Sequence, residues 1–312
     1  MVLLAACVDS SPDDPENRCD NPPTPVAIDS SGTRSFFVVD TILVPSSATE
    51  ATQYAFNLDG DELGRIDNRL GQILAALAGG GGVDLNAETQ LLIESGELLH
   101  LLEIQTTSRE FADGVAVSLF HGVDLDADPS DNFSGTEPFA ADLSRGRGLM
   151  SGNIVDGVVT VEMGNAPLAV TLPGLGESFV INLKAATLTG TFTDTGFAGR
   201  IGGAMSADVI NGMFMTLFHL GLSRSVEGDC DENGVCVPDS TGETVLGLFD
   251  TSPNDHRISF EEVAESDLVQ SLFRPDVDLF NDDGEFAPLC DGEKESLSVG
   301  LAFTAVRANV GN

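Results

Sequence analysis

Apolar residues recur along this chain with two periods, and each predicts a different element. Residues 36–44 (FFVVDTILV) form a continuous β-type run, which predicts a strand buried on both faces. From residue 97 to 200 the spacing is mostly two. Leu98, Leu102 and Ile104 fall in line with His100, and Val115, Val117 and Leu119 repeat the pattern. Asp156-Gly157 between two apolar runs predicts a hairpin, and Pro173-Gly174 predicts a turn before a long strand over residues 179–192. Connections this tight imply antiparallel neighbours. Residues 297–306 predict a closing strand.

Helical spacing is confined to shorter stretches. Ile66, Leu70, Ile73, Leu74 and Leu77 share one face of a helix that the glycines at 79–82 end. Asn86 is placed to cap a second helix through Ile93, stopped by Ser95-Gly96. Residues 206–220 are apolar nearly all round, which predicts a buried helix, and Ser259 opens another that runs to Phe273. The expectation is one α+β domain over residues 35–312. Its body is a predominantly antiparallel sheet, sandwich-like or rolled, with about four short helices packed on it. Residues 8–34, polar and rich in Pro, read as a flexible tether.

Composition narrows the function. Fourteen Lys and Arg face 50 Asp and Glu, a formal charge of −36. That field repels nucleic acid and anionic membrane surfaces and attracts divalent cations. A solvated halophile surface is a bland alternative, but it predicts acids spread evenly, whereas here they gather in loops. Five cysteines are an odd number. Cys230 and Cys236 flank an Asn-Gly turn and are expected to bridge locally, which leaves Cys19 for Cys290, in an oxidising compartment.

Four loops concentrate oxygen ligands. The first offers Asn57, Asp59, Asp61 and Asp67, with Glu62-Leu63 as an insertion. The second, DLDADPSDN, offers Asp124, Asp126, Asp128 and Asp131. The third offers Asp250, Ser252 and Asn254, with Glu262 as a closing ligand if the loop bulges. The fourth offers Asp276, Asp278 and Asp282, with Asn281 beside them and Glu295 closing from downstream. Calcium takes six to eight oxygens in irregular geometry, so alternating carboxylates on a curling loop suit it. Two of these features have ordinary structural readings. Ser259-x-x-Glu262 is a capping box, and Asp67 is a helix N-cap.

The third loop resembles a degenerate EF-hand, and the first resembles the loops of thrombospondin type-3 and dockerin-like repeats. Leu4-Ala5-Ala6-Cys7 resembles the lipobox of bacterial lipoproteins, with residues 1–7 as a truncated signal segment. Together these features resemble secreted bacterial lipoproteins with calcium loops. The resemblance implies a lipid on Cys7, calcium as the cofactor, and a structural or binding module on the cell surface. It implies an unknown surface or extracellular partner, no nucleic acid, and membrane contact only through the lipid. No catalytic motif is present, so the chain is not expected to be an enzyme. The alternative is a secreted hydrolase whose calcium loops only support the scaffold. His100 and His121 lie on apolar strands and read as satisfied core or edge histidines.

Overall fold

The computed structural model describes residues 19, 24–61, 66–79, 84–171, 178–281 and 283–311. Cys7, Asp282, the Glu62-Leu63 insertion and the Pro173-Gly174 turn lie outside the described residues. Ten strands form one sheet: β1 (Thr33–Leu43), β2 (His100–Thr106), β3 (Ala112–Asp124), β4 (Pro138–Arg147), β5 (Leu149–Val155), β6 (Val158–Thr171), β7 (Ser178–Phe192), β8 (Gly196–Ser206), β9 (Ser296–Arg307) and β10 (Asn309–Val310).

The sheet is neither a sandwich nor an open roll. It closes on itself as an eight-stranded antiparallel barrel of β1, β2, β3, β5, β6, β7, β8 and β9. The closing pair is β3 with β5, in register Ala112↔Ile154 to Val117↔Met150. β3 is long enough to fork. Its last residues, from Phe120 to Asp124, pair with β4 instead of β5, and the far edge of β4 takes β10 in parallel. Register shifts between Asp113 and Val115 in β3, and around Gly164 in β6, bend the long strands enough to close the cylinder. Asp156-Gly157 turns β5 into β6 with both residues at positive φ (51° and 76°), the conformation a two-residue hairpin needs.

Alternate residues of every barrel strand fill the interior, as an eight-stranded barrel requires. Phe37, Phe192, Phe197 and Phe303 form an aromatic group there, with Phe197 at 5.4–6.1 Å from the other three ring centroids. Two apolar voids lie among the described residues, about 20 Å³ beside His100 and about 60 Å³ under Leu70 and Leu74. The second void is lined jointly by barrel residues such as Ile181 and Leu301 and by helical Leu70 and Phe214, so helices cover that end. Two smaller apolar clusters sit on the outside. One joins Val38, Leu101, Phe120, Phe139 and Ala308, and seats β4 and β10. The other joins Ala185 and Ala204 to Phe56, Leu58, Val277 and Leu279.

The helices number seven among the described residues, not about four. They are α1 (Ala48–Gln53), α2 (Arg69–Gly79), α3 (Leu85–Glu94), α4 (Met215–Asp229), α5 (Thr241–Phe249), α6 (Phe260–Ala264) and α7 (Asp267–Leu272). A helical turn at Ala207–Val209 and a π-helical turn at Ile210–Phe214 lead into α4. Ile66 lies outside α2 and is exposed. Asp84, not Asn86, caps α3, because Asn86 spends its amide on Val44 N–H and C=O. The expected helix over 259–273 is two helices, broken where Ser266 starts α7.

Cys230 bonds to Cys236 and Cys19 to Cys290. Two disulfides belong to a chain that folds in an oxidising, extracytoplasmic compartment. No helix among the described residues is long and apolar enough to cross a membrane. The described end of the tether lies against the barrel, with Asp29 N–H donating to Gly114 O and Gln105 Nε2 to Ser30 O.

Candidate metal-binding site

The hairpin between β3 and β4 brings carboxylates together. Asp124 is the last residue of β3 and pairs with Phe139, so the two stems of the loop are fixed side by side. Glu137 stands just ahead of β4, and its carbonyl accepts the Asn309 N–H. Carboxylate oxygens of Asp124, Asp126 and Glu137 all lie within 4.8 Å of one another. Asp124 Oδ1 accepts the Asp126 and Ala127 N–H groups at 3.1 Å, and Asp126 Oδ1 accepts the Asp128 N–H at 2.9 Å. These bonds curl the loop; Asp124 is half-buried and Asp126 is exposed.

Glu137 is the telling member. It is only 7% exposed, and its Oε1 has no hydrogen-bond partner. A buried carboxylate oxygen without a donor is costly, more so among other acids. Its carboxyl is pushed up from the ordinary value, first by its withdrawal from water and then by Asp131, Asp126 and Asp124. Three acids therefore act on this one carboxyl. Asn132, under the same loop, is wholly buried with both amide atoms unpartnered. Asp128 and Asp131 are exposed. Asp128 is held below the usual carboxylate range by the hydroxyl and N–H of Ser130, in a turn of its own.

The expected first and fourth loops meet in space. Asp59 is buried and Asp278 is 1% exposed. Asp67, Asp276 and Glu295 complete a nest that has Lys294 at its edge. Burial pushes Asp67 up to about 7, with Asp59 and Asp276 adding to it. Burial likewise raises Asp278 to about 6, aided by Asp291, Glu295 and Asp59. Asp59, Asp276 and Glu295 shift upward for the same first reason. Asn57 is exposed and exchanges hydrogen bonds with the backbone of Asp61, so it shapes the loop. Asn68, not Asp67, caps α2: its Oδ1 accepts the Gly71 N–H at 3.0 Å.

The Asp250 loop closes on its own backbone. Asp250 Oδ1 and Oδ2 accept the N–H groups of Asp255 and His256. Asn254 donates to the Asp250 carbonyl, and Ser252 gives its N–H to Glu262 Oε1. Glu262 Oε1 also takes Thr251 N–H, while Oε2 takes the Ser259 N–H and hydroxyl. Burial pushes the Glu262 carboxyl up, and these donors outweigh it and hold it at about 2. The capping box is therefore formed through Oε2, and the Thr251 and Ser252 N–H groups take Oε1, so both oxygens of the residue expected to close a metal loop are occupied.

Sequence reasoning named Asp124 and Asp126 but missed Glu137. Counted from Asp124, Glu137 falls at position 14, beyond the twelve-position loop that the eye searches. The available signal was an acid immediately before the strand that pairs with the loop's other stem. Comparison with protein families, with curated proteins and with solved structures gives no match for this chain.

Proposed function

We propose that this chain is an exported calcium-binding module, held at the cell surface through Cys7 and serving a structural or binding role there. The observation that carries the reading is Glu137. Its buried carboxylate, whose Oε1 is unpartnered, converges with those of Asp124 and Asp126 at the neck of one hairpin. An all-oxygen donor set of high negative charge suits a hard divalent cation, and an irregular loop suits calcium better than magnesium, which demands near-octahedral geometry. The ion would neutralise the acids that Glu137 meets on leaving water, and so rigidify the β3–β4 loop.

Isothermal titration calorimetry with calcium tests the reading. The full chain should bind calcium, and Glu137→Gln should remove the site that holds it, with the fold unchanged by circular dichroism. A Glu137→Gln protein whose calcium titration matches the parent's in stoichiometry and affinity would sink the assignment.

A further inference from the structure

We infer that the groove on the outer face of the barrel, beside the fork of β3, is an anion site that takes a monocarboxylate carried on an apolar chain. Strand register builds its floor. Leu102 and Ile104 belong to the interior core, so Glu103 and Gln105 face outward. Arg34, Gln105 and Ala116 lie abreast on β1, β2 and β3, and Glu103 and Ser118 lie abreast in the next row of the same face.

Two walls stand over this floor. On one side residues 27–30 strap across the strands: Asp29 N–H donates to Gly114 O, Gln105 Nε2 donates to Ser30 O at 2.9 Å, and Ile28 lines the groove. Gly114 admits the strap, because a Cβ there would come within 2.6 Å of Ala27 O. On the other side β4 passes into β5. Arg147 pairs with Phe120 at that point, and Arg147 and Leu149 line the groove. The space between the walls is about 410 Å³, within the range of small-molecule sites.

Glu103 fixes two guanidiniums here. Its carboxylate is buried, with Arg34 Nη1 3.3 Å from Oε1 and Arg147 Nη2 on Oε2. Arg147 Nη2 also donates to Ser118 Oγ at 3.3 Å, and the guanidinium lies 5.3 Å from the Phe120 ring centroid. Both guanidiniums are therefore gathered at one carboxylate. Their other N–H groups have no hydrogen-bond partner among the described residues. A guanidinium offers a rigid fork of donors that matches a carboxylate, so each keeps donors for a second one.

Charge and polarity select the ligand. Two arginines against one glutamate leave one positive charge, and no other charged residue among those described lines the groove. One negative charge matches that balance. A phosphate dianion exceeds it and meets the field of a chain whose formal charge is −36. Ile28 and Leu149 are exposed large hydrophobic residues at the same groove. A carboxylate head on the guanidiniums would lay its chain over both and remove them from water.

The test titrates the full chain with octanoate, octanol and inorganic phosphate at one ionic strength. Calorimetry reads affinity, and NMR follows the arginine Nε–H groups and leucine methyls. Octanoate should bind saturably and move the Arg34, Arg147 and Leu149 signals, with octanol and phosphate far weaker. Arg34→Gln and Arg147→Gln should each weaken octanoate roughly tenfold or more. Arg34 is exposed, so its variant serves if Arg147→Gln fails to fold. An absence of saturable octanoate binding overturns the site. So does binding that neither substitution weakens, or equal binding of octanol, which would mark an apolar patch only. Phosphate bound more tightly than octanoate overturns the carboxylate assignment.

Discussion

His100 is buried without charge. Its Nε2 accepts the Ala169 N–H at 3.0 Å, and its ring centroid lies 5.0 Å from that of His121, its cross-strand partner. Burial first, then His121 and Arg145, lowers its pKa to about 3. Between that value and the ordinary 6.5, the unfolded chain takes up a proton that the folded chain refuses, so this residue's effect is to lower stability as pH falls below 6.5. The loss reaches about 2 kcal/mol near pH 5. His100→Gln keeps an acceptor for Ala169 and removes the titration. Urea unfolding at pH 7, 6 and 5 should show the parent losing stability relative to the variant by about that amount. A parent-minus-variant difference that stays flat over that range would refute the account. The apolar spacing around His100 was enough to read it as a core residue. Its solitary hydrogen bond was not legible, because Ala169 arrives from β6, a strand whose place in the barrel depends on closure.

At the scale of elements, local signals were legible wherever the partners are close in sequence. The β5–β6 hairpin follows from Asp156-Gly157, and the start of α6 from Ser259-x-x-Glu262. The break between α6 and α7 was missed because Val263, Val269 and Phe273 keep one apolar face across it, all three buried. Closure was missed for a different reason. β3 pairs with β4 at one end and β5 at the other, and no spacing in the sequence reports a fork. The capping box yields a quantitative expectation. Glu262 has a folded pKa of about 2, below the ordinary carboxylate value, so its contribution is complete above about pH 4.5 and is lost as pH falls through about 2. Glu262→Ala should cost on the order of 1–2 kcal/mol near neutral pH, from the lost helix cap and the unmet N–H groups of Thr251 and Ser252. Denaturant unfolding checks this, and calcium affinity should not move. A large fall in calcium affinity would mean that the Asp250 loop carries an ion after all.

For the whole molecule, the question is how a fold bearing a formal charge of −36 is held together. The acids could be ordinary solvated surface, stabilised by any salt through screening, or they could be sites that need a particular ion. The placement of the acids separates these. Asp59, Asp278 and Glu137 are each less than 9% exposed, and Glu137, with a bare Oε1, stands among other acids. Which acids would converge was not legible, because strand register sets it: Asp124 meets Glu137 only through the β3–β4 pairing, and Val277 brings Asp278 in through its bridge to Ser296. Screening by sodium reaches buried carboxylates poorly, whereas an ion bound at the convergence neutralises them directly. At matched ionic strength, calcium should therefore raise the melting temperature well above sodium. Occupancy at a hundred times the dissociation constant gives about 2.7 kcal/mol per site, and a chain of this size moves by about 2–4 °C per kcal/mol. One site thus predicts a rise of roughly 5–10 °C, reversed by chelator and diminished in Glu137→Gln. Equal melting temperatures in the two salts would return the acids to solvent and leave the convergence at Glu137 without a ligand.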